Sequence, residues 1–125
     1  MKKIFVIIFT LFAFHVTHAQ DEITQLSGPT EVKTGKKITV NVSYVASEAR
    51  EILVFLQLNE DPWTNVGATK VKVSGGKGTV EAELTTDNAA SPGSNYKISS
   101  VLVPKGKAWP ERLDQKVQTD VTVIK

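Results

Sequence analysis

From position 22 onward, polar and apolar residues alternate with a period of two along most of the chain. Ile38, Val40, Val42 and Tyr44 fall on one face of Lys37–Val45, with Thr39, Asn41 and Ser43 on the other. This is the pattern of a strand with one buried side. Val80, Ala82 and Leu84 oppose Thr79, Glu81 and Glu83 in the same way, while Val71 and Val73, and later Val117, Val121 and Val123, mark one face of two further strands. Two stretches depart from simple alternation. Glu51–Leu58 has Ile52, Val54, Leu56 and Leu58 on one side and Leu53 and Phe55 on the other, and Tyr96–Val103 sets Tyr96, Ile98 and Leu102 against Val101 and Val103. A strand that is apolar on both sides needs neighbours and cover above and below, so these two are expected to pair at the centre of a sheet.

Turn-forming residues punctuate these runs: Gly28-Pro29, Thr34-Gly35-Lys36, Ser47–Arg50, Asn59–Pro62, Ser74–Gly78 and Asp87–Asn95. The first strand, Glu22–Ser27, is expected to resume as Glu31–Lys33 after its break. Ser74-Gly75-Gly76-Lys77-Gly78 predicts a hairpin joining Thr69–Val73 to Thr79–Thr86. No segment carries a helical period. About seven short strands with turn chemistry between them predict an all-β, antiparallel sandwich of immunoglobulin or fibronectin III type. In such folds a tyrosine hydroxyl often bonds back to a preceding corner, and Tyr96, just after Pro92-Gly93, stands where that tyrosine would be.

The start of the chain is different in kind. Lys2 and Lys3 precede an uncharged run, Ile4–Phe14, and Thr17-His18-Ala19 offers small residues at both positions read by a signal peptidase. Residues 1–19 are therefore expected to be a cleaved signal peptide and 20–125 a single domain, secreted or periplasmic. The apolar run is too short to span a bilayer, for which about 20 residues are needed, so no membrane insertion is expected after cleavage.

Cleavage changes the charge balance. The chain has 15 Lys and Arg against 13 Asp and Glu, and losing Lys2 and Lys3 leaves 13 against 13. A neutral domain lacks the basic stripe of a nucleic-acid binder. His15 and His18 also leave and there is no cysteine, which excludes a Ser-His-Asp triad, a Cys-His pair and an ordinary zinc site. No cofactor or metal is expected. Asn59-Glu60-Asp61 could offer oxygens to calcium, but a solvated turn is the commoner use of such a triplet. Asn41-Val42-Ser43 fits the glycosylation pattern inside a strand, where it carries little weight.

With antiparallel strands, the Ser47–Arg50 turn, the Ser74–Gly78 turn and the long Pro104–Asp114 loop share one end of the sandwich. That end collects Arg50, Lys77, Lys105, Lys107, Trp109, Glu111 and Arg112. Loops on a rigid scaffold commonly carry binding residues. An indole among charged donors suits a sugar, the ring covering C–H surface while Arg, Lys and Glu take hydroxyls, a uronate or a sulfate. The competing expectation is that Trp109 folds back to plug the core. Trp63 is expected at the opposite end, packed at the sandwich edge and not sharing a platform with Trp109. The outward Leu53, Phe55, Val101 and Val103 form either a docking face for a protein partner or a surface covered by side chains such as Lys97 and Gln57. Paired carboxylates of glycosidase type are compatible with residue content, but a domain this small has little room for a substrate cleft.

Several short patterns act together: Ala49-Arg50-Glu51 leading into an apolar strand, Asp61-Pro62-Trp63, Gly76-Lys77-Gly78-Thr79, Pro92-Gly93 ahead of Tyr96, and Ala108-Trp109 followed by Glu111-Arg112-Leu113. They resemble the small immunoglobulin-like modules attached to secreted bacterial polysaccharide-degrading enzymes. The resemblance implies a non-catalytic accessory role near polysaccharide. The leading expectation is thus a carbohydrate-binding module whose end loops, with Trp109 foremost, meet the glycan. The alternative is a protein-interaction or assembly domain.

Overall fold

The computed structural model describes residues 21–125, and the expected signal peptide lies outside the described residues. Eight strands form: β1 (Glu22–Ser27), β2 (Glu31–Lys33), β3 (Lys37–Ala46), β4 (Arg50–Leu58), β5 (Asn65–Val73), β6 (Gly76–Thr85), β7 (Gly93–Pro104) and β8 (Asp114–Ile124). They make two sheets, of order β1-β3-β6 and β2-β8-β7-β4-β5. All pairs are antiparallel except β2 with β8.

The two doubly apolar stretches pair as expected: β4 lies between β5 and β7, with Ile52 opposite Leu102 and Leu56 opposite Ile98. Between the sheets, Val40 and Val42 from β3 meet Ile52, Val54, Leu56, Ile98, Leu102 and Val121 in one continuous core, each of them fully buried. Burying a side chain of this size contributes about 1.5–3 kcal/mol, and with no disulfide that apolar layer is the main source of stability. The Tyr96 hydroxyl donates to the Ser91 carbonyl at 2.6 Å, as expected for the corner, and burial raises its pKa.

Two connections differ from the expected ones. Glu31–Lys33 does not resume the first strand but changes sheets, joining β8 in parallel. Gln118 clamps the switch: its amide donates to the carbonyls of Gly28 and Pro29 and accepts from Gly28 N–H at 2.9 Å. A Cβ on Gly28 would lie 2.8 Å from Ile98 Cδ1, so any larger residue here would have to push the end of the Ile98 side chain aside. The predicted β5–β6 hairpin is also absent, since β5 pairs with β4 and β6 with β3. Gly75 and Gly76, the latter at φ +109°, carry the chain from one sheet to the other over Glu48. A hairpin and an arch between layers both call for glycine, and the choice is made by which strand each partner finds.

Candidate functional site

The outward face of the five-stranded sheet carries a concave surface walled by two indoles. Alternation along β4 sends Ile52, Val54 and Leu56 inward and Glu51, Leu53, Phe55 and Gln57 outward, and along β7 Lys97, Ser99, Val101 and Val103 point out. A hollow of about 420 Å³ lies on this face. Its floor is Phe55 and Gln57 from β4, Asn65 from β5, Lys97 and Ser99 from β7 and Gln115 from β8. Pairing of Phe55 with Ser99, and of Gln57 with both Lys97 and Asn65, sets these side chains in adjacent rows. Gln115 donates to the Ser99 hydroxyl at 2.9 Å.

Two indoles wall the hollow, Trp63 from the β4–β5 turn and Trp109 from the β7–β8 loop. They are 49% and 44% exposed, the most exposed large hydrophobic residues among those described. Trp109 therefore does not plug the core, and Trp63 is not packed away at the edge. Nor are they on separate platforms, as their positions at opposite ends of β4 suggested. The reason is the path of the β7–β8 loop, which turns back over the sheet. The Gly106 N–H donates to the buried carboxylate of Glu51 at 2.9 Å, and Lys70 sits 3.9 Å from the same carboxylate. Beyond this anchor, Trp109–Glu111 forms a single 3-10 turn in which the Glu111 carboxylate accepts from Ala108 N–H. The sequence held a clue: Val101 and Val103 are apolar, point outward and need cover, and the nearest long loop is this one. Both are fully buried, which leaves only half-buried Leu53 and Phe55 of the four residues expected to form a docking face.

Trp63 is fixed from its own side. It adopts φ +61°, a left-handed conformation that costs a bulky residue roughly 1–2 kcal/mol. Its N–H donates to the Glu60 carbonyl at 2.7 Å, and its carbonyl accepts from the Gln57 side chain at 3.0 Å. The Lys97 ammonium lies over the Trp63 ring, 5.0 Å from its centroid, and the Arg112 guanidinium stacks 3.7 Å from that of Trp109. Each indole thus has a cation seated on it.

The remaining expected residues divide. The Ser47–Arg50 turn, the Gly75 turn and the end of β7 do share one end of the molecule: Gly75 approaches the Glu48 backbone and Arg50 pairs with Pro104. Arg50, however, is engaged by Asp21 at 3.0 Å and Glu48 at 3.5 Å, with little exposed surface. The hydrogen bond to Asp21 raises the Arg50 pKa. Partial burial pushes the Asp21 carboxyl up, but hydrogen bonds from Arg50 and from the Ser47 N–H and hydroxyl outweigh it, and its pKa is lowered. Lys77 is the second residue of β6, in the other sheet. Lys107 is exposed on the loop, outside the lining of the hollow. Of the six expected ligand-binding residues, Trp109 alone lines the hollow; Arg112 stacks on the Trp109 ring, and Glu111 shapes the turn that carries them. Glu60 accepts from Asn95 at 2.6 Å, and among the described residues no cluster of acidic side chains is arranged as a cation site. The floor residues Gln57, Asn65, Ser99 and Gln115 were not expected as a site, because outward polar residues of a strand look alike whether they meet water or a ligand.

Residues 23–115 match the family described as "Porphyranase-associated domain". No curated protein matches the chain. Among solved structures, it is similar to a protein described as a β-galactosidase from Bacteroides fragilis, with 18% identity and a TM-score of 0.51 over 80% of this chain. A β-glucosidase from Listeria innocua in complex with isofagomine shows 21% identity and a TM-score of 0.46 over 82% of this chain. The chain spans only 17% and 16% of those two proteins.

Proposed function

The chain belongs to the porphyranase-associated domain family, and on that premise we propose that it is a secreted, non-catalytic module that binds polysaccharide. The observation that carries this reading is the hollow between Trp63 and Trp109, with its floor of Gln57, Asn65, Ser99 and Gln115. Sugars offer flat C–H surface and a fringe of hydroxyls. Indoles cover the first, and amide and hydroxyl groups pair with the second. The hollow lies on a paired sheet, so its floor is held before any ligand arrives, and little ordering cost remains to be met on binding. The site is thus a face of the sandwich, reached by one folded-back loop, and not the open end.

Affinity electrophoresis through gels containing porphyran or agarose tests the reading. The wild-type domain is expected to be retarded, and Trp109→Ala to migrate freely while keeping its thermal unfolding midpoint within a few degrees. Equal mobility of the two proteins in every gel would remove the proposal.

A further inference from the structure

A sandwich has two flanks as well as two faces, and on one flank both sheets end in a strand with an open edge. β5 ends the five-stranded sheet and pairs only with β4, while β6 ends the three-stranded sheet and pairs only with β3. The two edges share that flank. The arch at Gly75 joins them at one end, and at the other the Asp87 N–H donates to the Val66 carbonyl at 2.7 Å. These ties also make the strands run in opposite directions. Between them, among the described residues, positions 68–73 of β5 and 80–85 of β6 have no backbone partner on the flank side. Neither strand contains a proline, and Val71 and Val80 are only partly covered by the core. An edge of this kind is a template for a further strand.

Charge says which strand fits. The exposed side chains along the middle of β5 include Lys70 and Lys72, and those along β6 include Glu81 and Glu83. Lys70 lies 3.9 Å from Glu51, and the other three have no ion pair within 4.0 Å among the described residues. Pairing β5 with a second β5 would set lysine against lysine, and β6 with β6 glutamate against glutamate, both destabilising. Pairing β5 with β6 sets opposite charges together. We propose that a second copy of this chain docks on this flank about a two-fold axis parallel to the strands, so that β5 of each copy extends the sheet of the other at β6. Such an axis makes the same junction twice and keeps each strand at the level it holds in its own molecule. Counting along both strands from Val66 and Asp87, which their hydrogen bond sets level, brings Lys70 opposite the partner's Glu83 and Lys72 opposite the partner's Glu81. Lys77 falls beyond the end of the partner's β5. The hollow takes only Asn65 from β5 and stays outside the junction, so this inference does not rest on the glycan reading.

Sedimentation equilibrium of the intact protein, from about 1 to about 300 µM to span the range of transient interfaces, tests the proposal. The mass of the wild type is expected to rise with concentration toward twice the monomer value and no further. Glu81→Lys/Glu83→Lys, which lies in the sheet away from Glu51, should weaken self-association about tenfold or more. Lys70→Glu/Lys72→Glu should do the same, and Lys70→Gln/Lys72→Gln, without repulsion, should weaken it less. The deciding sample is an equimolar mixture of the two charge-reversed proteins: each junction again joins lysines to glutamates, so the doubled mass should return. Trp109→Ala should associate as the wild type does. A wild type that stays monomeric throughout would overturn the proposal and leave Lys70 and Lys72 as guards of an unused edge. So would a charge-reversed variant that associates as strongly as the wild type, or a mixture that does not recover. If Trp109→Ala abolishes association, the copies meet through the aromatic face and the flank is not the interface.

Discussion

A bulky residue at positive φ is an uncommon choice, and Trp63 makes it at the rim of the hollow. Strain of this kind collects where structure serves a ligand. Glycine adopts the same conformation without cost but supplies no ring. Trp63→Gly is therefore expected to unfold in urea within about 1 kcal/mol of wild type, relief of strain offsetting the added freedom of the unfolded chain, while losing retardation in polysaccharide gels. A large loss of stability would show that the ring is structural. Tyr96 is the contrasting residue: it is 3% exposed and bonded to Ser91, with no surface to offer a ligand. Tyr96→Phe should destabilise by about 1–2 kcal/mol by leaving that carbonyl without its partner, measured by urea unfolding, with glycan binding intact.

Among the elements, the β7–β8 loop decides whether the hollow has its second aromatic wall. Its anchor is Glu51, 4% exposed on the outer side of β4 and accepting from Gly106 N–H. Glutamine at this position keeps the carbonyl acceptor and loses the charge; alanine loses both. Glu51→Ala should lower stability by roughly 1–3 kcal/mol and weaken glycan binding, because Trp109 is no longer held over the sheet. Glu51→Gln should recover most of both. Comparing urea unfolding with calorimetric affinity for the pair checks this, and a binding loss in Glu51→Gln equal to that in Glu51→Ala would mean that the charge, not the anchoring, matters.

For the whole molecule, Asp21 ties the first described residue to the β3–β4 turn through Arg50 and Ser47. Its folded pKa lies below the ordinary aspartate value of 3.8, so its stabilising contribution is complete above that pH and disappears as the pH falls through the folded value. Asp21→Asn should accordingly be less stable than wild type near neutrality, and the gap should narrow as the pH is lowered from about 5 to about 2. Thermal melts across that range check the sign; a gap that widens in acid would contradict it.

Period-two alternation determined the strands, because a half-buried strand must place its apolar residues on alternate positions whatever it pairs with. The doubly apolar runs Glu51–Leu58 and Tyr96–Val103 likewise specified the centre of the larger sheet, since only interior strands need cover on both sides. Tyr96 could be assigned to its corner because its partner lies a few residues away. The partners of β2 and β6 lie far along the chain, and the glycine-rich β5–β6 connection permits either a hairpin or a change of sheet. The site depended on tertiary structure most of all. Trp63 and Trp109 are 46 residues apart in sequence, and only the fold of a long loop over Val101 and Val103, fixed at Glu51, brings their rings to one hollow. Local patterning reports which side of a strand is wet, and the packing of distant segments decides what stands on that side.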